Sequence, residues 1–271
     1  MVTPLLPQWE NIHFPVIGML HLKALPGSPQ YDGNRELIKL RLLQDAECLV
    51  DGGVHGLLIE NFGDRPYFPR CVPISIVSHM TILAAEIRQR WPDIPLGINV
   101  LRNDGCAAIT IAHAVNAQFI RVNVLCHARL TDQGIIDGIA HKLHRQRAML
   151  DAKNIRILAD IRVKHSSPLT PLSLEEETAN TIQRGLADAV IISGAATGQA
   201  IDKNDLEKTR SASGSTPLVI GSGIDIDSII SLSQLANGAI VGTAVKKNGQ
   251  PANPVDQERV NALIAALTSS K

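Results

Sequence analysis

Eight short apolar runs, spaced along a chain of 271 residues, constrain the fold more than any other feature. They are Val16–His21, then 54–60, 94–100, 119–124, 155–160, 189–193, 218–221 and 239–242. Each is rich in Ile, Val and Leu and lacks clean polar alternation before its last residues. Strands of a parallel sheet covered on both faces read this way. Between the runs lie stretches with helical periodicity, at 35–50, 73–90, 104–115, 134–152, 173–185, 203–212, 225–235 and 254–268. Strand–helix alternation repeated eight times predicts an α/β chain closed into a (β/α)₈ barrel rather than an open sheet. No Pro/Gly/Ser linker divides it, so residues 1–271 read as one barrel domain with 1–13 as an N-terminal extension.

Charge and cysteine usage narrow the function classes. Lys+Arg and Asp+Glu both number 26, and 45% of the chain is hydrophobic, which excludes charge-driven disorder. The same balance argues against a nucleic-acid partner, since displacing phosphate counterions needs a basic surplus. Cys48, Cys71, Cys106 and Cys126 show no CxxC spacing, so buried reduced thiols in a cytoplasmic protein are expected rather than a zinc cage or a disulfide framework. The N-terminus has no basic segment leading into an apolar core, so no signal peptide is expected. No apolar run approaches the roughly 20 residues that span a bilayer, so any membrane association would be peripheral.

Polar residues gather at the ends of the runs, where the active sites of such barrels lie. His21 ends the first run, Glu60 and Asn61 the second and Asn99 the third. Arg121 and Asn123 come late in the fourth; Asp160, Arg162 and Lys164 share one phase of the fifth; Ser193 ends the sixth. A buried pair of Arg121 with Glu60 or Asp160 would explain one such residue structurally. Six polar ends point instead to a cavity, because unpaired buried polar groups cost several kcal/mol each. Glu60, Asn99, Arg121, Asn123, Asp160 and Lys164 are therefore expected to converge, with opposite charges interleaved. Glu60, Asp160 and Lys164 are the candidate acid, base or electrostatic groups. A desolvated Lys164 could also form a Schiff base, or simply hold an anion. The residues specify no cofactor with certainty, but Glu60 and Asp160 could coordinate a divalent metal such as Mg²⁺ with Asn99 and Asn123, because hard oxygen ligands suit it. His141 and His144, three apart on a helical stretch, read as solvated surface rather than as metal ligands.

The sharpest motif is a pair of glycine turns. Gly221-Ser222-Gly223 follows the seventh run and Gly242-Thr243 the eighth. Glycines there let backbone N–H groups reach an anion, and a helix N-terminus adds partial positive charge. Lys246 could supply a cation, while Asp225 would have to cap its helix and face away. The seventh turn lacks the third glycine of a dinucleotide fingerprint, and no P-loop exists. A phosphorylated small molecule is the expected ligand, held by these turns together with His21, Asn99, Arg121, Asn123 and Ser193.

The same segments carry a family resemblance over about residues 14–260. It rests on Gly18-Met19-Leu20-His21 with Leu25-Pro26-Gly27-Ser28-Pro29, on Glu60-Asn61-Phe62-Gly63-Asp64, and on Asn99-Val100-Leu101-Arg102-Asn103-Asp104. Arg121-Val122-Asn123-Val124, Thr131-Asp132-Gln133-Gly134, Ala159-Asp160, Val163-Lys164-His165, Ser193-Gly194, Thr197-Gly198 and the glycine turns continue it. The chain resembles the BtpA/SgcQ family, which implies a TIM barrel. Members of the BtpA type are similar to a factor for photosystem I biogenesis attached peripherally to the thylakoid membrane. The resemblance therefore implies photosystem I components and the cytoplasmic face of the thylakoid as partners. SgcQ-type members are associated with sugar metabolism, which implies an enzyme acting on a phosphorylated metabolite. A third reading, a metabolite-binding barrel that signals through assembly, would reconcile the two, and a homo-oligomer fits any of them. Two positions depart from the family: Cys126-His127-Ala128-Arg129 replaces a glycine-containing turn, and Asn116 replaces a glycine.

Overall fold

Each of the eight runs forms a barrel strand in a computed structural model that describes residues 3–194 and 201–268, so Thr197-Gly198 lies outside the described residues. In chain order the elements are β1 (Val16–His21), α1 (Arg35–Asp51), β2 (Gly56–Glu60), α2 (Ile74–Arg90), β3 (Leu96–Asn99), α3 (Gly105–Ala114) and β4 (Phe119–Val122). There follow β5 (Ala128–Thr131), β6 (Gly134–Asp137), α4 (Ala140–Met149), β7 (Arg156–Ile161), β8 (Ser166–Pro168), α5 (Leu174–Gln183) and β9 (Ala189–Ile192). The chain ends with α6 (Lys203–Ser213), β10 (Leu218–Ile220), α7 (Ile229–Ser233), β11 (Ala239–Val241) and α8 (Gln257–Thr268). The parallel barrel closes in the order β1-β11-β10-β9-β7-β4-β3-β2.

Helix starts are set locally. Asn34 and Asp104 accept hydrogen bonds from Leu37 N and Ala107 N at the starts of α1 and α3, and Ser173 with Glu176 forms a reciprocal capping box on α5. Two expected helices are shorter than read. Residues 134–137 form β6, pairing antiparallel with β5, which also pairs with β8. Gly134, at φ +91°, allows the tight turn, and Ile136 is buried while Ile135 is exposed, a strand alternation hidden inside an apolar pair. This small sheet grows from the loops after the fourth and fifth barrel strands, so Cys126–Arg129 leads into a hairpin. At 225–228 the Asp225 carboxylate accepts from Ser228 N and Oγ at 2.9 and 2.6 Å, a local turn that delays α7 until Ile229. Asn116, which replaces a glycine, and His127, within the turn that departs from the family, stand at φ +52° and +63°, the left-handed region that glycine favours.

The N-terminal extension closes one end of the barrel. Leu5, Leu6 and Trp9 are buried against Ile17, Leu58, Phe119, Leu158 and Ile240. The Trp9 and Phe119 rings lie 6.1 Å apart, and the indole donates to His55 O at 2.9 Å. The four cysteines are unpaired as expected, but they are not buried: Cys71 is exposed and the other three are half-buried. Among the described residues no helix is long and apolar enough to cross a membrane.

Candidate functional site

Strand register builds the site. His21 pairs with Glu60, Glu60 with Asn99, and Asn99 with Arg121, so four consecutive strands deliver polar residues to one row. Arg121 pairs with Leu158, which places Asp160 one inward step further along β7. The Arg121 guanidinium grips Asp160 through Nη2 to Oδ1 at 3.0 Å and Nε to Oδ2 at 3.2 Å. Asn123 Nδ2 donates to the same Oδ2 at 2.7 Å, and Asn99 Nδ2 donates to Asn123 Oδ1 at 3.2 Å. A bidentate pair this well bonded offsets its own desolvation. Asn99 and Asp160 form the floor beneath the cavity, whereas Arg121 and Asn123 reach its wall. Asp160, expected as a catalytic group, is thus engaged in holding Arg121.

Above this floor opens a cavity of about 670 Å³ that joins Glu60, Arg121, Asn123 and Lys164 to Gly221–Gly223 and Gly242–Thr243. His21 lines it too, stacked on Phe62 with ring centroids 4.4 Å apart. Burial and then the Lys246 charge lower the His21 pKa to about 3. The ring is therefore neutral, and since Pro251 O only accepts, Nδ1 carries the proton in their 3.0 Å hydrogen bond. His21 Nε2 lies 3.8 Å from Glu60 Oε1, ion-pair range by distance, yet a neutral ring makes no ion pair. Burial raises the Glu60 pKa, against the pull of Arg121 and Lys164. Burial, then the neighbouring Arg121, lowers Lys164 to about 8. Among the described residues no hydrogen bond reaches the Glu60 carboxyl or Lys164 Nζ. These two groups face the cavity ready to titrate.

The glycine turns lie across the mouth. A Cβ at Gly221 would sit 2.5 Å from Ile191 Cγ2 and 2.6 Å from Ser193 Oγ, so no larger residue fits, and Arg121 Nη2 is 3.7 Å from the same point. Gly223 stands at φ +78°. Ser193 lies beneath Gly221 rather than on the wall, and the buried Ser193 Oγ and Ser222 Oγ find no partner among the described residues. Two expected contributors are absent from this end. Lys246 is buried, with Nζ bonded to Asp45 Oδ2 on α1 at 2.8 Å, so its charge is spent on the barrel wall. Helix α7, only 5 residues long and starting at Ile229, is too short to lend a dipole.

Other residues go where the sequence did not send them. Arg162, at φ +51°, breaks the alternation of β7 and turns outward, 4.0 Å from Glu177 and 3.8 Å from Asp205. Arg102, buried, enters the wall instead, donating from Nη2 to Lys164 O at 2.6 Å. Its place in the Asn99–Asp104 motif was the signal, but loop position alone did not reveal which way it points. Phe62, Tyr67, His165 and the hairpin tip Asp132-Gln133 also line the cavity. Asp160 and Asn123, expected as metal-ligating oxygens, already accept hydrogen bonds, and among the described residues no three His, Cys, Asp or Glu side chains gather to hold a metal. His144 Nε2 instead meets Gly185 O at 2.7 Å. In the buried part of the site Arg102, Arg121 and Lys164 face Glu60 and Asp160, leaving one positive charge in excess; the remaining charges, Arg65, Asp132 and Asp225, are exposed at the rim.

Comparison with known proteins agrees with this architecture. A model of the BtpA family matches residues 12–269. The Photosystem I biogenesis protein BtpA of Synechocystis sp. is 45% identical over 260 residues, covering 96% of this chain and 90% of that protein. An uncharacterized protein of Thermococcus kodakarensis is 44% identical over 250 residues, covering 92% of this chain and 94% of its own. Among solved structures, phosphoribosyl anthranilate isomerase from Thermus thermophilus superposes with a TM-score of 0.58 at 13% identity, over 95% of this chain and 100% of that one, a likeness of fold. With the family model matched over nearly its whole length and relatives above 40% identity, the chain belongs to the BtpA family.

Proposed function

We propose that the chain binds a small phosphorylated metabolite in the barrel mouth and acts on it by proton transfer. One observation carries this reading: the unpaired Glu60 carboxyl and Lys164 amine share a single cavity with the two glycine turns. The turns and Arg121 hold the phosphate, while His21, Asn123 and the neighbouring asparagine network set the polar surface beside it. Glu60, with its raised pKa, is the proton donor, and Lys164 the base or electrostatic group. The excess positive charge in the buried part favours an anion. A barrel neighbour whose name carries a phosphoribosyl group supports the assignment by analogy of fold. Titration calorimetry with inorganic phosphate and with sugar phosphates tests it against the same sugars unphosphorylated. Equal heats for phosphorylated and plain sugars reject the phosphate site.

A second reading is favoured by the 45% identity to the Synechocystis protein named for photosystem I biogenesis. In a photosynthetic host the chain would act in photosystem I biogenesis from the thylakoid surface, attached peripherally and released by high salt or alkaline carbonate. The two readings separate in that host. If a Glu60→Gln, Lys164→Met double variant restores photosystem I to a strain deleted for its own relative, the biogenesis role does not require the pocket chemistry.

A further inference from the structure

We propose that Lys164 is a nucleophile that forms an imine with the carbonyl carbon of a small phosphorylated aldehyde or ketone. The inference rests on the phosphate-binding reading above and names the substrate class of that site. Three features of the loop after β7 carry it. First, Arg162 and His165 both hold φ values in the left-handed region, +51° and +54°, which is costly for residues with side chains. Two such residues bracket Val163-Lys164 and turn the lysine into the mouth while Arg162 goes outward. Second, the backbone carbonyl of Lys164 is fixed by Arg102 Nη2 at 2.6 Å, so the residue is held from below by a buried side chain. Third, the amine ends in the cavity with no hydrogen bond or ion pair among the described residues, although two carboxylates stand in the same site. Asp160 is already gripped by Arg121, and Glu60 is left free.

Here burial and the Arg121 guanidinium hold the amine at about 8, which gives about two hundredfold more free amine at pH 7 than an ordinary lysine. The step then balances with groups on the wall. The neutral amine adds to the carbonyl carbon, forming the C–N bond as the π pair moves to oxygen, and Glu60 in its acid form protonates that oxygen. The ammonium returns a proton to the Glu60 carboxylate, leaving a neutral carbinolamine. Glu60 then protonates the hydroxyl, which departs as water while the nitrogen lone pair closes the C=N bond. Amine, carbonyl and one proton become an iminium and water, with no external oxidant. The phosphate on the glycine turns fixes the carbonyl against Lys164 from across the mouth.

Borohydride trapping of the full chain tests this. Dihydroxyacetone phosphate, glyceraldehyde 3-phosphate and their unphosphorylated counterparts are the probes, read by intact mass and peptide mapping. The expected result is one adduct per chain on the Lys164 peptide, suppressed by excess inorganic phosphate and lost in Lys164→Arg and Lys164→Met. Its rate should rise through a pH near 8 rather than near 10.4. Melting curves of both variants establish that the loss is not unfolding. Absence of an adduct, or labelling spread over exposed lysines and unchanged in the variants, overturns the imine. Glycerol 3-phosphate, which has no carbonyl, keeps the two readings apart by calorimetry. If it binds while no adduct forms, the imine falls and the phosphate site stands. If it does not bind, the phosphate site falls, and an adduct that ignores the phosphate group then overturns the substrate class.

Discussion

The two ends of this barrel are made from the same strands and treat polar groups in opposite ways. At the N-terminal end Leu5, Leu6, Trp9 and Phe119 fill the interior, and the Trp9 indole finds its acceptor in His55 O. At the C-terminal end His21, Glu60, Asn99 and Arg121 stand in register, and Asn99 Oδ1, Ser193 Oγ and Ser222 Oγ are buried without partners among the described residues. Each unsatisfied group costs about 1–3 kcal/mol when left dry. One end therefore supplies the stability that the other gives up, as barrel enzymes divide their labour. The division also runs within the mouth. Arg121 and Asp160 satisfy each other, whereas Glu60 and Lys164 are left to titrate.

If the ends are independent, the largest effect belongs to the plug. Trp9→Ala should cost about 4 kcal/mol in denaturant unfolding, because Phe119 and the strand floor cannot collapse into the gap. Calorimetric affinity for a sugar phosphate should not move, and a parallel loss of affinity would break the comparison. Next comes the ion pair at the mouth. Asp160→Ala leaves the buried Arg121 charge unpaired at the cavity wall and should cost about 3 kcal/mol. Adding Arg121→Met should recover most of it, since the penalty lies in the unpaired charge; no recovery would mean that Asp160 supports the fold in another way.

Acid should sharpen the contrast further. Folded His21 takes its proton only near pH 3 and the unfolded chain near 6.5, so the folded state binds fewer protons in between and stability falls as pH drops through that window. The loss from this group approaches about 2 kcal/mol by pH 5, at about 1.4 kcal/mol per unit. Glu60 runs the other way. Its raised folded pKa stabilises the fold as pH falls through that value and penalises it above. His21→Gln should flatten the acid limb of stability against pH, and Glu60→Gln should stabilise the protein at neutral pH by an amount that fades toward pH 4.5. An unchanged acid limb in His21→Gln would show that the ring is charged in the fold. The smallest effect on stability is expected at Gly242→Asp. A Cβ there meets nothing closer than 3.4 Å, so unfolding should shift by less than about 1 kcal/mol. Phosphate binding should nonetheless vanish, because the new carboxylate stands at the anion turn.

Hydrophobic pattern determined a good deal on its own. Runs of Ile, Val and Leu alternating with helical periods specified the eight parallel strands, and polar residues at their ends marked the mouth. Both signals are local, and a parallel barrel converts strand position directly into position around one opening. Local pattern misread what local pattern underdetermines. Ile135-Ile136 suits a helix or a strand, and the Asp225–Ser228 turn competes with the first turn of a helix. Barrel closure alone decided the partnerships. It sent Lys246 to Asp45, 201 residues earlier in the chain, and Arg102 to the carbonyl of Lys164. It turned Arg162 away, set residues 5–9 under the strands, and gave Asp160 to Arg121 and Asn123. The titration of Glu60, His21 and Lys164 followed from the same event. A pKa depends on how much water and which charges surround a group, and those are fixed only when distant segments pack together.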